Sequence, residues 1–167
     1  RTLCVYDPGG ASGDIFTMMK DFRLKALGLG VDFEMKPFTD EKSASDDFKA
    51  KQCDAALITG TRARPMHKFS STIEAMGGLP TYDMLKSTIG LLSSSKAAGF
   101  MKSGNVEIAG LFPGGAVFLY VRDRNMNSVS KLAGKRMATM NFDKAAQIMV
   151  QKVGASMINA DVATFAG

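Results

Sequence analysis

The stretch that decides the fold is Leu3-Cys4-Val5-Tyr6-Asp7-Pro8-Gly9-Gly10-Ala11-Ser12-Gly13-Asp14. It begins with a short apolar run of strand length, and the proline and glycines that follow break that run. Ser12 is a residue type that caps helices. Apolar residues at helical spacing come after it: Ile15, Phe16, Met19 and Phe22. The stretch therefore predicts a strand, a tight turn and a helix that Ser12 caps and that ends near Gly28 or Gly30.

The same alternation continues to residue 60. We expect a strand at Val31–Met35, a turn at Pro37–Glu41, a helix at roughly Lys42–Lys51, and a strand at Ala55–Thr59. A β-α-β-α-β order of this kind predicts an α/β fold, in which helices cover a parallel sheet and the crossovers are right-handed.

The rest of the chain is less regular. After a loop or short helix at residues 62–71, we expect a strand at Thr72–Gly77, a helix at Tyr82–Met101, and strands at Val106–Leu111 and Ala116–Val121. A helical turn at Ser128–Leu132 should follow. The last three elements are a strand at Arg136–Met140, a helix at Asp143–Val153 and a strand at Ser156–Ala160. The last three form a second strand–helix–strand unit, which is too small for an independent sheet. Either the protein continues beyond residue 167, which we favour, or this unit extends the first sheet.

Composition limits the class of protein. Hydrophobic residues make up 46% and charged residues 22% of the 167 residues, and no run approaches the roughly 20 apolar residues that span a bilayer. We therefore expect a soluble protein that does not span the membrane. The chain starts at Arg1 without an apolar leader, so either a signal peptide has been removed or the chain was trimmed there.

The net charge is +5, but the lysines and arginines are scattered along the sequence. A nucleic-acid interface would need them gathered in one stripe, and we expect no nucleic-acid partner. A solvated basic surface is the favoured interpretation, and a basic cleft for an anionic ligand is the alternative.

The two cysteines, Cys4 and Cys53, stand beside predicted strands. Two ligands cannot complete a structural zinc site, and we expect no metal or other cofactor. A disulfide between Cys4 and Cys53 is favoured if the two strands are neighbours, because an exported protein keeps such bonds. Two free buried thiols are the alternative.

Candidate ligand-binding residues follow the predicted strands, because open α/β sheets bind ligands at the carboxyl ends of their strands. After the first strand, Asp7, Gly10 and Ser12 lie in a glycine-rich loop before a helix, which could hold a carboxylate or phosphate on backbone N–H groups. The loop lacks the P-loop and dinucleotide-binding patterns, and Asp14 would oppose an anion. An ordinary tight turn is the alternative.

Further candidates follow the second and third strands. Thr39 precedes Asp40 and Glu41, for which helix capping is the simpler explanation. Thr61, Arg62 and Arg64 follow the third strand, where an arginine could clamp a carboxylate. A salt bridge from these arginines to Asp7, Asp40 or another surface acid is the alternative. The last candidate ligand-binding residue is Asn141, directly after the predicted strand at Arg136–Met140.

Signs of catalysis are few. The sequence has one histidine and lacks the nucleophile-elbow and zinc-protease motifs, and no motif marks two carboxylates as an acid and base pair. We therefore expect a protein without catalytic residues.

The order of the motifs resembles the first half of type II periplasmic solute-binding proteins. It is similar to the carboxylate receptors of tripartite ATP-independent periplasmic (TRAP) transporters, through residues 131–139, 154–158 and 52–58. It resembles more closely a group of solute-binding proteins, some linked by name to multidrug efflux pumps. The shared runs are Cys4-Val5-Tyr6-Asp7, Ser12-Gly13-Asp14, Thr39-Asp40-Glu41, Asp47-Phe48-Lys49 and residues 53–60 with Arg62 and Arg64.

This resemblance implies two α/β lobes, each a parallel-rich sheet with helices on both faces. Residues 1–112 would form the first lobe, and residues 113–167 would supply the crossover strands and an incomplete second lobe. The implied mechanism is hinge closure on a ligand between the lobes. The arginine that clamps the ligand carboxylate in TRAP receptors is replaced by Ala138, so a carboxylate ligand does not carry over directly.

Three functions follow as hypotheses. The favoured one is a periplasmic receptor that captures a small organic ligand, with a carboxylate as one candidate, and delivers it to membrane transporter subunits. The first alternative is a non-catalytic interaction component of a transport or efflux assembly. The second is a small α/β enzyme that holds phosphate on the Gly9–Gly13 loop.

Overall fold

The computed structural model describes residues 1–115 and 118–160. The chain divides into two compact units, Arg1–Ile108 and Ala109–Gly167. No helix among the described residues is long and apolar enough to cross a membrane.

The first unit is built on a three-stranded parallel sheet. Strand β1 (Thr2–Tyr6) lies in the centre, between β2 (Glu34–Phe38) and β3 (Ala55–Leu57). Both neighbours run parallel to β1, with Thr2 opposite Glu34 and Val5 opposite Leu57. The parallel sheet that the β-α-β-α-β order predicts is therefore present, and its central strand is the apolar run at the start of the chain.

The core of this unit lies on both faces of β1, because successive side chains of a strand point to opposite faces. Leu3 and Val5 pack with Phe16 of helix α1 (Asp14–Leu27). Cys4 packs on the other face with Ala44 of helix α2 (Glu41–Lys49) and with Cys53. The chain thus forms an α/β layer with a helix on each face.

A disulfide joins Cys4 in β1 to Cys53 just before β3, and this pairing was favoured from the sequence. The Cα atoms lie 5.9 Å apart, within the usual range for a bridge. Both residues are buried, at 0% and 4% exposure. The bond therefore ties the central strand to the start of its neighbour.

Strand β2 lies three residues later than the predicted strand at Val31–Met35. The end of α1 explains the shift, because Leu29 and Val31 both donate backbone hydrogen bonds to Ala26 and so belong to the helix terminus. Pro37, predicted to start a turn, lies inside β2, which is an edge strand and tolerates a proline.

Beyond β3 the prediction fails in several places. The strand predicted at residues 72–77 is wrong. Two short helices lie in this region, α3 (Gly60–Ala63) and α4 (Ser70–Ile73), and the second one includes residues 72 and 73. Helix α5 (Tyr82–Leu92) ends nine residues before the predicted boundary at Met101, since the Ser93 and Ser94 hydroxyls bond back to its last carbonyls. A 3₁₀ turn (Ser95–Ala97) follows.

The predicted strand at Val106–Leu111 is also mostly absent. It is reduced to β5 (Val106–Glu107), which pairs antiparallel with β4 (Lys102–Ser103). Of the predicted strand at Ala116–Val121, residues 116 and 117 lie outside the described residues, and residues 118–121 form no strand.

The second unit contains the predicted strand–helix–strand motif. Strands β6 (Arg136–Met140) and β7 (Ser156–Ala160) pair in parallel, with helix α6 (Lys144–Lys152) between them in sequence. Leu132, which ends a 3₁₀ turn (Val129–Leu132), packs with Met137 and Val150 to form the core. Gly154 stops the helix with a φ of +72°, where a glycine is strongly favoured.

Candidate functional site

The carboxyl ends of β1, β2 and β3 meet at one edge of the first sheet, because all three strands run parallel. We call this edge the strand-end cluster; it comprises Tyr6–Gly13, Thr39–Glu41 and Thr59–Arg62. Its loops touch directly: the Asp7 N–H donates to the Phe38 carbonyl at 2.9 Å. A Cβ on Gly10 would lie 3.1 Å from the Thr39 methyl carbon. The topology therefore brings together residues that are far apart in sequence.

Asp7 acts as the cap of helix α1. It is 4% exposed, and its two carboxylate oxygens accept the Gly9 N–H at 2.7 Å and the Phe16 N–H at 2.9 Å. The predicted cap, Ser12, is wrong: the N-cap residue is Gly13, which has no side chain, and Ser12 lies exposed in a 3₁₀ turn at Gly10–Ser12. A carboxylate directly after β1 thus fills the position at the helix start that an anionic ligand would use.

Gly10 permits the turn around this cap. It is buried and has a φ of +59°, a conformation that glycine adopts without strain. The tight-turn alternative from the sequence therefore accounts for the loop at residues 9–13, with Asp7 as its internal anchor.

Asp40 caps helix α2, as the capping explanation from the sequence predicted. Its side chain accepts the backbone N–H of Lys42 and Ser43 and the Ser43 hydroxyl, the last at 2.6 Å. The Ser43 hydroxyl bond is the main reason why the pKa of Asp40 is lowered; the backbone bonds and the Arg62 guanidinium add to the effect, and partial burial opposes it. Asp40 and Thr39 are both exposed, so solvent or a ligand can reach them.

Arg62 is held by Glu41. Glu41 is 4% exposed, and one carboxylate oxygen accepts the Thr59 N–H at 2.7 Å while the other lies 3.4 Å from Arg62 Nε. The Arg62 side chain is 16% exposed. The salt-bridge alternative is therefore present: Glu41 is a partner, and it is a buried acid where the sequence predicts Asp7, Asp40 or another surface acid.

Thr61 is engaged by a different acid. Its backbone N–H and its hydroxyl both donate to Glu74 Oε2 at 2.6 Å, and the Gly60 N–H donates to Glu74 Oε1 at 2.7 Å. Arg64 follows α3 and is exposed, and its side chain forms no hydrogen bond or ion pair within residues 1–115 and 118–160. Thr61 and Arg62 are thus held internally, whereas Arg64 faces solvent.

Tyr6 is a member of the cluster that sequence reasoning missed. It ends β1 and is half-buried, and no hydrogen bond to its hydroxyl occurs in the described part of the chain. Burial raises the pKa of Tyr6, and the Glu41, Asp40 and Asp7 carboxylates raise it further, while Arg62 lowers it. Its place as the last strand residue, directly before Asp7, was the signal that could have found it.

Asn141 lies in the second unit, one residue after β6. Its side chain is exposed, and its backbone carbonyl accepts a hydrogen bond from the Gln147 side chain at 2.9 Å. Ala138, where TRAP receptors have an arginine, is exposed in the same strand.

One set of potential metal ligands exists among the described residues. Asp47 lies with Cys4 and Cys53 so that their ligand atoms fall within 4.8 Å of one another. The two sulfurs are bonded to each other, and the Asp47 carboxylate accepts Lys36 Nζ at 2.6 Å. This set therefore offers no thiolate to a metal ion in the oxidised protein.

A family model described as Solute-binding protein AdeT 1/2 matches residues 27–167. The chain belongs to this solute-binding protein family. A relative named "Probable solute-binding protein AdeT1", from Acinetobacter baumannii, is 39% identical over 158 residues. That alignment covers 95% of this chain and 52% of the relative, so the chain spans about half the length of its curated relative. No solved structure matches this chain.

Membership of the AdeT 1/2 family confirms the resemblance to solute-binding proteins drawn from the sequence. The match includes β2, α2 and β3, and therefore two of the three loops of the strand-end cluster. It also includes the β6–α6–β7 motif of the second unit. A mixed α/β architecture with parallel strands is thus shown for a member of this family.

Proposed function

We propose that this chain forms the receptor part of a solute-binding protein, which takes up a small organic molecule at the strand-end cluster. The observation that carries the proposal is the family match over residues 27–167 together with a cluster of polar groups at the carboxyl edge of a parallel sheet. Ligands of open α/β sheets bind at this edge because loops and helix starts converge there.

The groups available for ligand contact are the exposed polar side chains and those without a hydrogen-bond partner among the described residues. Within the strand-end cluster, Ser12, Thr39 and Asp40 are exposed, and the half-buried Tyr6 has a hydroxyl that forms no hydrogen bond among the described residues. Asp7, Thr61 and Arg62 support this edge from within through their bonds to Phe16, Glu74 and Glu41. In the proposal, the supporting residues hold the contact residues in place.

A two-lobed, type II periplasmic fold is part of the same proposal. The first lobe would be residues 1–112 and the second would begin at residue 113, close to the division between the two compact units at Ile108. The receptor would act in the periplasm, close by a hinge motion and pass its ligand to membrane transporter subunits. Asn141 would contribute from the second lobe.

A binding role is favoured over catalysis by two features of the described residues. Both cysteines are joined in the disulfide, and His67, the single histidine of the sequence, is 2% exposed. The phosphate-binding enzyme alternative needs free N–H donors in the loop at residues 9–13. Asp7 already occupies the donors of Gly9 and Phe16.

Equilibrium dialysis against a metabolite extract, followed by native mass spectrometry, tests the proposal. The folded protein should retain a small molecule. Tyr6→Phe should weaken its binding about threefold to tenfold, since one hydrogen bond contributes about 0.5–1.5 kcal/mol. The matched control is Tyr82→Phe, at a tyrosine that is 68% exposed on α5. If folded protein retains no compound, or if both substitutions act equally, this site is wrong.

A further inference from the structure

The set formed by Cys4, Cys53 and Asp47 has a different chemistry once the disulfide is reduced. Its ligand atoms lie within 4.8 Å of one another. Two thiolates that share one zinc ion stand about 3.7 Å apart, because each Zn–S bond is about 2.3 Å long and the geometry is tetrahedral. A disulfide holds the two sulfurs at about 2.0 Å. After reduction the sulfurs need to separate by less than about 2 Å, which small rotations of the two side chains supply.

The three residues should stay close without the disulfide, because other bonds hold the backbone around them. The Asp54 N–H donates to the Thr2 carbonyl at 2.9 Å, and the Asp54 carboxylate accepts the Thr2 N–H at 2.8 Å. The chain next to Cys53 is thereby fixed to β1. The Asp47 carbonyl accepts the Gln52 N–H at 2.9 Å, which turns the chain after α2 back towards Cys53. These bonds keep the three ligands around one point.

The charge and burial of the set suit a divalent cation that binds sulfur. Cys4 and Cys53 are 0% and 4% exposed, so a pair of thiolates at these positions needs compensating positive charge. Lys36 supplies one such charge, with its Nζ 2.6 Å from Asp47 Oδ2. With a divalent ion added, the two thiolates, the carboxylate, the ammonium and the ion sum to zero charge. The Asp47 side chain is 32% exposed, so water can reach a fourth ligand position.

We propose that the reduced protein binds one zinc ion, or another divalent ion with affinity for sulfur, through Cys4, Cys53 and Asp47. The site opens by a two-electron reduction, in which a dithiol reductant gives two electrons and two protons to the S–S bond and is itself oxidised to a disulfide. The two cysteine thiols then release their protons as they bind the ion. Metal binding and the Cys4–Cys53 bond therefore exclude each other, and a bound ion protects the thiolates from oxidation.

This site is separate from the proposed solute-binding function and does not depend on it. None of its three ligands belongs to the strand-end cluster. Asp47 lies near the end of α2, whereas Glu41, which belongs to that cluster, is the first residue of the helix. Loss of the metal site and loss of solute binding can therefore be measured separately.

The test uses Cd²⁺ as the probe, because its bonds to thiolates absorb in the ultraviolet. Protein reduced with a dithiol is freed of the reductant under anaerobic conditions and titrated with Cd²⁺, and the affinity for Zn²⁺ follows from competition. Asp47→Asn removes the carboxylate ligand. Its matched control is Asp46→Asn, which removes the same charge from the neighbouring residue, where the carboxylate is paired with Lys42 and Lys49.

The reduced protein should bind one ion per chain, and the oxidised protein should bind none at the same concentration. Asp47→Asn should weaken binding at least about tenfold, since even a residue that only supports a metal ligand contributes about that much. Asp46→Asn should leave the affinity unchanged. Equal affinities of the Asp47→Asn variant and the unchanged protein would show that two thiols bind the ion without the carboxylate, and the proposal would be wrong. Absence of binding, or equal binding by the oxidised protein, would also overturn it.

A stability measurement covers the case in which reduction unfolds the chain. Zn²⁺ should raise the free energy of unfolding of the reduced protein, or restore its circular dichroism if the reduced chain is unfolded, because the ion binds an arrangement that the folded chain provides. The oxidised protein should show no such gain. If Zn²⁺ stabilises the reduced Asp47→Asn variant as much as the unchanged protein, or fails to stabilise the reduced protein, the fold does not form this site and the proposal fails.

Discussion

Replacing Gly13 with alanine should destabilise the protein, although the backbone at this position suits any residue. Gly13 has a φ of −73° and a ψ of 160°, an extended conformation that alanine adopts freely. An added Cβ, however, would overlap the carboxylate oxygens of Asp7. The cost therefore comes from displacing Asp7, not from backbone strain.

The expected loss of stability follows from the hydrogen bonds that the Asp7 carboxylate would lose. Its carboxylate accepts hydrogen bonds from Gly9 at 2.7 Å and from Phe16 at 2.9 Å. A hydrogen bond to a charged group contributes about 1.5–3 kcal/mol, and the Phe16 N–H is buried and would keep no partner. We expect Gly13→Ala to lower the free energy of unfolding by about 3 kcal/mol, measured by urea denaturation with circular dichroism.

Two further variants separate this mechanism from a general effect of alanine. Gly90→Ala lies inside α5 with no atom near the added Cβ, and should stabilise the protein by about 0.5–1 kcal/mol. Asp7→Ala removes the obstructing carboxylate, so adding Gly13→Ala to it should cost almost nothing more. If the two losses simply add, or if Gly13→Ala alone is neutral, the account of the Asp7 cap is wrong.

Three other predictions concern the same unit. Reducing the Cys4–Cys53 bond, which closes a loop of 49 residues, should lower the free energy of unfolding by about 3–4 kcal/mol; unfolding curves of oxidised and reduced protein that coincide would contradict this. Asp40→Asn should flatten the acid dependence of stability. The pKa of the Asp40 carboxyl is lowered in the folded protein, so the ionised group stabilises the fold at pH values above its unfolded-state pKa, and this effect is lost as pH falls through the folded-state pKa. An unchanged acid limb in pH-dependent denaturation would refute this. Glu41→Gln should lower the pKa of Tyr6, measured by NMR titration, because it removes a carboxylate that opposes phenolate formation. A pKa of Tyr6 that rises or stays constant would show that Glu41 does not act on Tyr6.

Elements with strong local signals could be predicted from the sequence. Strand β1 and the β6–α6–β7 motif fall within a residue or two of their predicted bounds, because apolar spacing and a glycine at the helix end specify them locally. Strand β2 was misplaced because residues 29–31 could form a strand by themselves, but close the end of α1 instead. The residues between β3 and α5 carry weak periodicity, and the predicted strand there was wrong.

The candidate site could be located from the sequence but its pairings could not. The carboxyl ends of parallel strands identify the edge, and Asp40 is a local cap that its spacing predicts. The partners of Asp7, Thr61 and Arg62 lie nine, thirteen and twenty-one residues away, and no local spacing rule connects residues at these separations. Only the packed structure determines which carboxylate reaches which donor.

Tyr6, the last residue of β1, lies between two residues that are tied to other parts of the first unit. Two residues before it, Cys4 is tied to Cys53, and directly after it, Asp7 is tied to the start of α1. These ties hold the backbone at Tyr6, and its ring packs against the cluster of Cys4, Ala44 and Cys53. A side chain held in this way loses little freedom when a ligand binds, so more of the contact energy appears as affinity. Reducing the disulfide and replacing Gly13 loosen the ties on either side of Tyr6, and under the proposed function both should weaken solute binding even under conditions where the protein stays folded.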